Sequence, residues 1–229
     1  MTADGPGFGL ARRLAAEGAG TALLLAIVVG SGVMGDGLSG GNDAVALLLN
    51  TVSTGAGLFV LITLLGPVSG AHFNPLVTLL GAASGQMGRG ETLARMAVQV
   101  AGAVLGVFLA HAMFDQPLAQ VSGKVRDGAG KVLSEAVATF GLLMVIQLGA
   151  RLAPGALAAL VALYITAAYG FTASTSFANP AVTLARSLTD TFAGIAPTSV
   201  PGFLAGQAAG ALAAALASSW LLGRSRAGT

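Results

Sequence analysis

Two asparagines carry the chemistry this sequence is equipped for. Asn74 stands in Ser69-Gly70-Ala71-His72-Phe73-Asn74-Pro75-Leu76-Val77-Thr78, and Asn179 in Ser176-Phe177-Ala178-Asn179-Pro180-Ala181-Val182-Thr183. Each is followed by proline and then by an apolar, helix-compatible run. Asn is favoured as an N-cap and Pro at the first helical position, so each pair predicts a helix start. The side-chain oxygen of such an Asn accepts a backbone N–H, which leaves its amide NH₂ to donate. A helix start also carries roughly half a positive charge. Two starts brought face to face suit an uncharged solute that accepts hydrogen bonds, and they oppose cations, protons included. Catalytic chemistry has little to work with. The chain has no cysteine and two histidines, which stand apart at His72 and His111, and no His-Glu-x-x-His. An enzyme is therefore disfavoured, and neither metal nor cofactor is expected.

The composition says where these turns lie. Of 229 residues, 55% are hydrophobic and 9% charged, and the mean hydropathy is +0.82. Soluble domains carry about 25% charged residues, so the chain reads as an integral membrane protein with the lipid bilayer as its surroundings. A formal net charge of +2 offers nothing for nucleic acid. The 34 glycines suit helices that pack closely in lipid. Apolar runs over residues 14–34, 44–65, 91–113, 132–152, 156–169 and 202–222 predict six spans. The first, behind Arg12-Arg13, is read as a span rather than a cleaved leader, because no small-residue cleavage site follows it. The runs after the two prolines, 75–83 and about 179–187, are too short to cross. About nine residues reach ~14 Å, near half the hydrocarbon thickness. They read as re-entrant half-helices, which membranes tolerate only where the backbone is buried in protein or lines a water-filled cavity.

The two halves match. Glu17 with Thr21 in the first span corresponds to Glu135 with Thr139 in the fourth. Gln99-Val-Ala-Gly102-Ala103 in the third corresponds to Gln207-Ala-Ala-Gly210-Ala211 in the sixth. Three spans per copy put the copies in opposite orientations, so the chain reads as one all-α domain over residues 1–229, an inverted repeat of about 12–113 and 130–223. Lys and Arg favour the side of the termini: Arg12, Arg13, Arg89, Arg95, Arg151, Arg224 and Arg226 against Lys124, Arg126, Lys131 and Arg186. Cytoplasmic termini are expected.

With these features in place the chain resembles the aquaporin superfamily, the major intrinsic proteins. The carriers are Asn74-Pro75-Leu76 and Asn179-Pro180-Ala181, together with Ser69-Gly70-Ala71-His72 and the Glu and Gln-x-x-Gly-Ala signatures, and they extend over nearly the whole chain. The resemblance implies six helices plus two half-helices, a pore in each subunit, and a homotetramer. It implies that Glu17 and Glu135 accept backbone N–H groups of the adjacent re-entrant loop, and that His72 helps to shape the pore-lining loop. Gln99 and Gln207 are expected to bond the irregular loop backbones. Leu76 replaces the alanine of the first motif, an enlargement expected to adjust packing without touching the pore.

The family places an outer constriction at fixed offsets from the motifs. Those offsets fall on Thr54, Ala167, Ser176 and Val182. The arginine usual beside the second motif is replaced by Val182, and no histidine or large aromatic stands at these positions. Such a ring is wide, uncharged and bears two hydroxyls. The expected function is a passive channel for small neutral solutes: glycerol-like solutes, water and, from the likeness to aquaglyceroporin-like channels of bacterial arsenic-resistance operons, arsenicals including methylated forms. A water-selective pore is the alternative. An ion-coupled secondary transporter, with the intramembrane Glu17 and Glu135 as relay groups, is a weaker one, and a purely structural membrane protein weaker still. The location implied is the inner membrane of a bacterium. Arg186, about two helical turns past the half-helix start, reads as an outer-surface charge. His111 reads as interfacial packing, and Trp220, Tyr164 and Tyr169 as interfacial anchors.

Overall fold

The computed structural model describes residues 7–223, so Arg224 and Arg226 of the charge count lie outside the described residues. Eight α-helices follow one another: α1 (Leu10–Leu38), α2 (Asp43–Ser69), α3 (Pro75–Ala83), α4 (Arg89–Met113), α5 (Ala129–Leu152), α6 (Leu157–Phe171), α7 (Pro180–Arg186) and α8 (Val200–Leu221). Six are long and apolar enough to cross a membrane. The remaining two, α3 and α7, are the short helices that begin at Pro75 and Pro180. The fold is all-helical among the described residues, a multi-pass membrane architecture.

The spans run longer than the apolar windows suggest. The first helix continues through the glycines to Leu38, and the second passes Pro67 to end at Gly70, whose φ of 91° closes it. In water a proline or a glycine-rich end would stop a helix. In a membrane the neighbouring helices re-satisfy the backbone groups, and the helix persists. The Asp43 turn is correspondingly short. Asn42 caps α2 with its side-chain oxygen 3.1 Å from the Ala44 nitrogen and 3.3 Å from that of Val45.

Packing follows the repeat. Helix α1 lies against α4 and α2, α5 against α8 and α6, and α2 meets α6 where the halves join. The crossings of α1 with α4 and of α5 with α8 depend on small residues. A Cβ at Gly102 would collide with the Gly18 carbonyl, and one at Gly210 with the Ala136 carbonyl. These are the glycines of the two Gln-x-x-Gly-Ala signatures, so the signature marks the closest approach of two backbones. The same approach carries Gln99 and Gln207, both fully buried, onto the half-helices.

Candidate functional site

The site begins with one irregular loop in each half. Between α2 and α3 the chain has no regular structure, and Ala71 and Phe73 both have φ of 49°. Between α6 and α7, Ser176 has φ of 50° and Ala178 of 47°. These are the same places, three and one residues before each Asn. None is glycine, so the left-handed backbone costs of order 1–2 kcal/mol at each. Buried carboxylates hold it. The Glu17 oxygens accept from the His72 nitrogen at 2.9 Å and the Phe73 nitrogen at 2.8 Å. The Glu135 oxygens accept from the Phe177 and Ala178 nitrogens, both at 2.9 Å. Both carboxylates are wholly shielded from solvent.

The glutamines act one step further back than expected. Gln99 Nε2 donates to Glu17 Oε2 at 2.8 Å and to Thr78 Oγ1 at 2.9 Å. Gln207 Nε2 donates to Glu135 Oε2 at 2.6 Å and to Thr183 Oγ1 at 2.8 Å. They do not bond the loop backbone. Each ties its carboxylate to the half-helix that the loop introduces, because a carboxylate already facing two N–H groups has lone pairs left for a third donor.

The halves differ beside the two glutamates. Four residues before Gln99 stands Arg95; four before Gln207 stands Phe203. Arg95 is buried, lies 3.6 Å from Glu17 and 2.8 Å from Glu91, and donates to the Ser69 carbonyl. Ser69 Oγ in turn donates to Glu17 at 2.8 Å. In the second half the ring of Phe203 packs edge-on against Phe177 with centroids 4.9 Å apart. Arg95, counted among the charges on the side of the termini, is a buried supporting residue inside α4. Its spacing of four to both Glu91 and Gln99 was the available signal.

The two asparagines meet. Asn74 Oδ1 accepts from the Leu76 nitrogen at 2.9 Å, and Asn179 Oδ1 from the Ala181 nitrogen at 3.0 Å and the Val182 nitrogen at 3.3 Å. Each amide also donates across to the other loop: Asn74 Nδ2 to the Ala178 carbonyl at 2.8 Å, and Asn179 Nδ2 to the Phe73 carbonyl at 2.7 Å. An amide NH₂ has two hydrogens. One of each pair is therefore used to staple the two half-helix starts together, and one remains. Pro75 and Pro180 follow as the first helical residues.

A cavity of about 1030 Å³ passes this junction, with Asn74, Asn179, His72, Thr54, Ser176 and Val182 on its wall. It extends the other way to Gln86 and Arg151. His72 Nδ1 sits 3.1 Å from Thr78 Oγ1. Leu76 and Ala181 are not on the wall; Ala181 is buried behind it. Thr54 Oγ1 and Ser176 Oγ are buried and make no hydrogen bond within the protein. Val77, three residues after Asn74, and Val182, three after Asn179, both line the cavity.

Other residues lie elsewhere than expected. Ala167 is exposed on the outer face of α6 and does not line the cavity. The wall is formed by Val161, Ile165 and Tyr169. Residues four apart share a helix face, whereas Ala167 lies two from both Ile165 and Tyr169 and so points away. A large aromatic therefore does stand on the wall, and Tyr169, 3% exposed, is no interfacial anchor. Arg186 is not an outer-surface charge. It is buried, its Nε donates to the Ala193 carbonyl, and its guanidinium lies 3.5 Å from the centroid of the Phe177 ring. His111 is buried as well, with Nε2 2.8 Å from Thr189 Oγ1 and Nδ1 3.0 Å from the Leu118 carbonyl, so it joins the end of α4 to the segment after α7. Tyr164 donates to the Ala138 carbonyl at 3.2 Å, and Trp220 is 80% exposed.

The loop between α4 and α5 folds over this end. Arg126 donates to the Gly194 carbonyl at 2.7 Å, and Lys124 Nζ donates to the Phe192 carbonyl at 3.0 Å. Burial, then the nearby Arg126 and Arg186, push the Lys124 ammonium below its usual pKa.

Known proteins resemble this chain in sequence and in fold. Residues 7–153 match the model of the family described as "Major intrinsic protein". Aquaglyceroporin AqpS of Rhizobium meliloti (strain 1021) is 55% identical over 215 residues, 94% of this chain and 92% of that protein. The X-ray structure of the aquaglyceroporin from Plasmodium falciparum shares the fold, with a TM-score of 0.65 at 17% identity over 93% of this chain and 95% of that one. A chain with two stapled Asn-Pro half-helices, matched by the family model over well over half its length and more than half identical to a relative along nearly all of it, belongs to the major intrinsic protein family.

Proposed function

We propose that this protein is a passive channel through which small neutral solutes, glycerol-like ones and water among them, cross the membrane, with Asn74 and Asn179 at its middle and Thr54, Tyr169, Ser176 and Val182 at its outer constriction. Its family comprises channels, and it is not an enzyme. One observation carries the reading: a single cavity runs past the free amide hydrogens of both asparagines to two buried hydroxyls without partners, on a wall that is apolar for the most part. A polyol needs that combination. Its hydroxyls exchange hydrogen bonds with Thr54, Ser176 and the asparagines, and its carbon edge packs on Ile165, Tyr169 and Val182. A relative that is an aquaglyceroporin by name favours the same solutes.

The correction at position 167 changes the constriction. Tyr169 makes it partly aromatic rather than uniformly small. In size it stands between a narrow water filter and the open ring that Ala167 implied. Arsenicals, methylated or not, remain candidate solutes as small neutral oxygen-bearing acids, and flux measurements decide which pass. Lys and Arg near the spans favour cytoplasmic termini; removing the buried Arg95 from one side and Arg186 from the other leaves the sign of the asymmetry unchanged. A bacterial inner membrane and a homotetramer complete the proposal.

The rival of ion coupling meets a physical objection. Each intramembrane glutamate already accepts three or more fixed donors, is wholly shielded from solvent and does not line the cavity, so neither is placed to exchange protons with a pore. In proteoliposomes glycerol influx is expected to rise linearly with its gradient and to ignore imposed proton or sodium gradients. Saturation together with a response to either gradient would make the protein a coupled transporter.

A further inference from the structure

Position 182 lacks a cation, yet a cation stands one helical turn away. Arg186 follows Val182 by four residues on α7, so the two share a face. Helical side chains lean toward the helix start, and for α7 that direction leads back to the re-entrant loop. The guanidinium stacks on Phe177, 3.5 Å from the ring centroid, and faces Tyr169. Both rings line the cavity. Arg186 is 2% exposed, and its Nη1 is buried without a hydrogen-bond partner. The charge thus sits one ring's thickness behind the wall of the outer constriction.

Nothing nearby cancels it. Among the described residues no carboxylate forms an ion pair with Arg186. The carboxylate that acts on it is Glu135, which is committed to the loop N–H groups. Its other charged neighbours are cations too: Arg126, 5.2 Å from the same Phe177 ring, and Lys124. A stack on an aromatic face offsets only part of a guanidinium's charge.

The first half of the chain shows that the fold does not require this arginine. Seven residues after Asn74 stands Gly81, the counterpart of Arg186, and two before Asn74 stands His72, the counterpart of Phe177. A Cβ on Gly81 would meet the His72 ring at 3.3 Å, so the same two positions are in contact in both halves. In one half the pair is a glycine under an imidazole; in the other it is an arginine under a phenyl ring. The half-helix forms either way. The added charge belongs to the outer end alone.

We infer that Arg186, acting through the Phe177 ring, supplies the electrostatic barrier to cations at the outer constriction that an arginine at position 182 would otherwise supply. The arrangement separates two properties. Charge behind the wall repels cations in a low-dielectric surround, while the wall itself stays free for solutes wider than water. The inference rests on the channel reading above.

The test uses the full protein in proteoliposomes, with glycerol and water flux measured beside proton and potassium leak. Arg186→Met keeps the apolar bulk and removes the charge, Arg186→Gln keeps a donor for the Ala193 carbonyl, and Arg186→Lys keeps the charge. Cation leak is expected to rise on the order of tenfold in the Met and Gln variants and to stay near the parent in the Lys variant. Adding Val182→Arg to Arg186→Met is expected to restore tightness, which a packing role for Arg186 would not produce. Glycerol and water flux of the parent report on the channel itself. Cation leak that is equal in the parent and in every Arg186 variant still passing water overturns the inference, whatever the glycerol result.

Discussion

Replacing Glu135 by Gln is expected to abolish most solute flux and to lower the melting temperature in detergent micelles. The amide puts an NH₂ where Phe177, Ala178 or Gln207 already presents a donor. A buried donor left facing a donor costs about 1–3 kcal/mol, more where a charge is removed. That loss is compounded because the carboxylate holds Ser176 and Ala178 in left-handed backbone, so the loop relaxes, the Asn74–Ala178 bond opens, and the junction of the two half-helices with it. Glu17→Gln is expected to be worse. It removes the same kind of support from the first loop and also strips Arg95 of one of its two carboxylates, while Arg95 remains 2% exposed. Breaking a buried pair from one side costs on the order of 3–5 kcal/mol. Melting and flux of the two variants measured together check the order. A Glu135→Gln protein with the parent's melting temperature and flux would mean that the second loop is held by something else.

Val182→Arg is expected to cut glycerol flux by about tenfold or more and water flux far less, since added bulk discriminates by solute size. Val182 is 6% exposed and lies on the cavity wall beside Ser176 and Thr54. A guanidinium there occupies space that a polyol needs and competes for both hydroxyls. It also stands four residues from Arg186 on the same helix, and like charges at that spacing destabilise by a few tenths of a kcal/mol. A small drop in melting temperature should therefore accompany the change in selectivity. Stopped-flow scattering with water and glycerol in turn reads the effect. A variant equal to its parent for both solutes would place Val182 away from the constriction.

What the chain reveals of itself divides along physical lines. The paired Asn-Pro starts, the Glu and Gln positions and the span order are legible because each is a local rule repeated in two halves: a cap, a proline, a charge too costly to leave unpaired in lipid. Repetition turned weak signals into a strong one. The constriction is less legible because it depends on helix phase. Thr54, Ser176 and Val182 line the cavity, whereas Ala167 faces outward and Tyr169 inward, and a count of residues across an irregular loop does not carry helix phase. Arg95 and Arg186 escaped for another reason. Both stand near the ends of their helices, where water is the natural partner of a charge. Their burial follows from side chains that lean toward the helix start and reach a carboxylate in one case, an aromatic ring in the other. The reciprocal Asn amide bonds were hidden because they join residues more than a hundred positions apart.

The account rests on a pore that admits solutes larger than water. Stopped-flow light scattering on proteoliposomes, with water, glycerol, urea and a methylated arsenical compared in the same preparation, addresses that claim most directly. Glycerol is expected to enter well above the protein-free rate, with urea passing alongside it. Rapid water flux with glycerol held at the protein-free rate would contradict the account and make the pore water-selective.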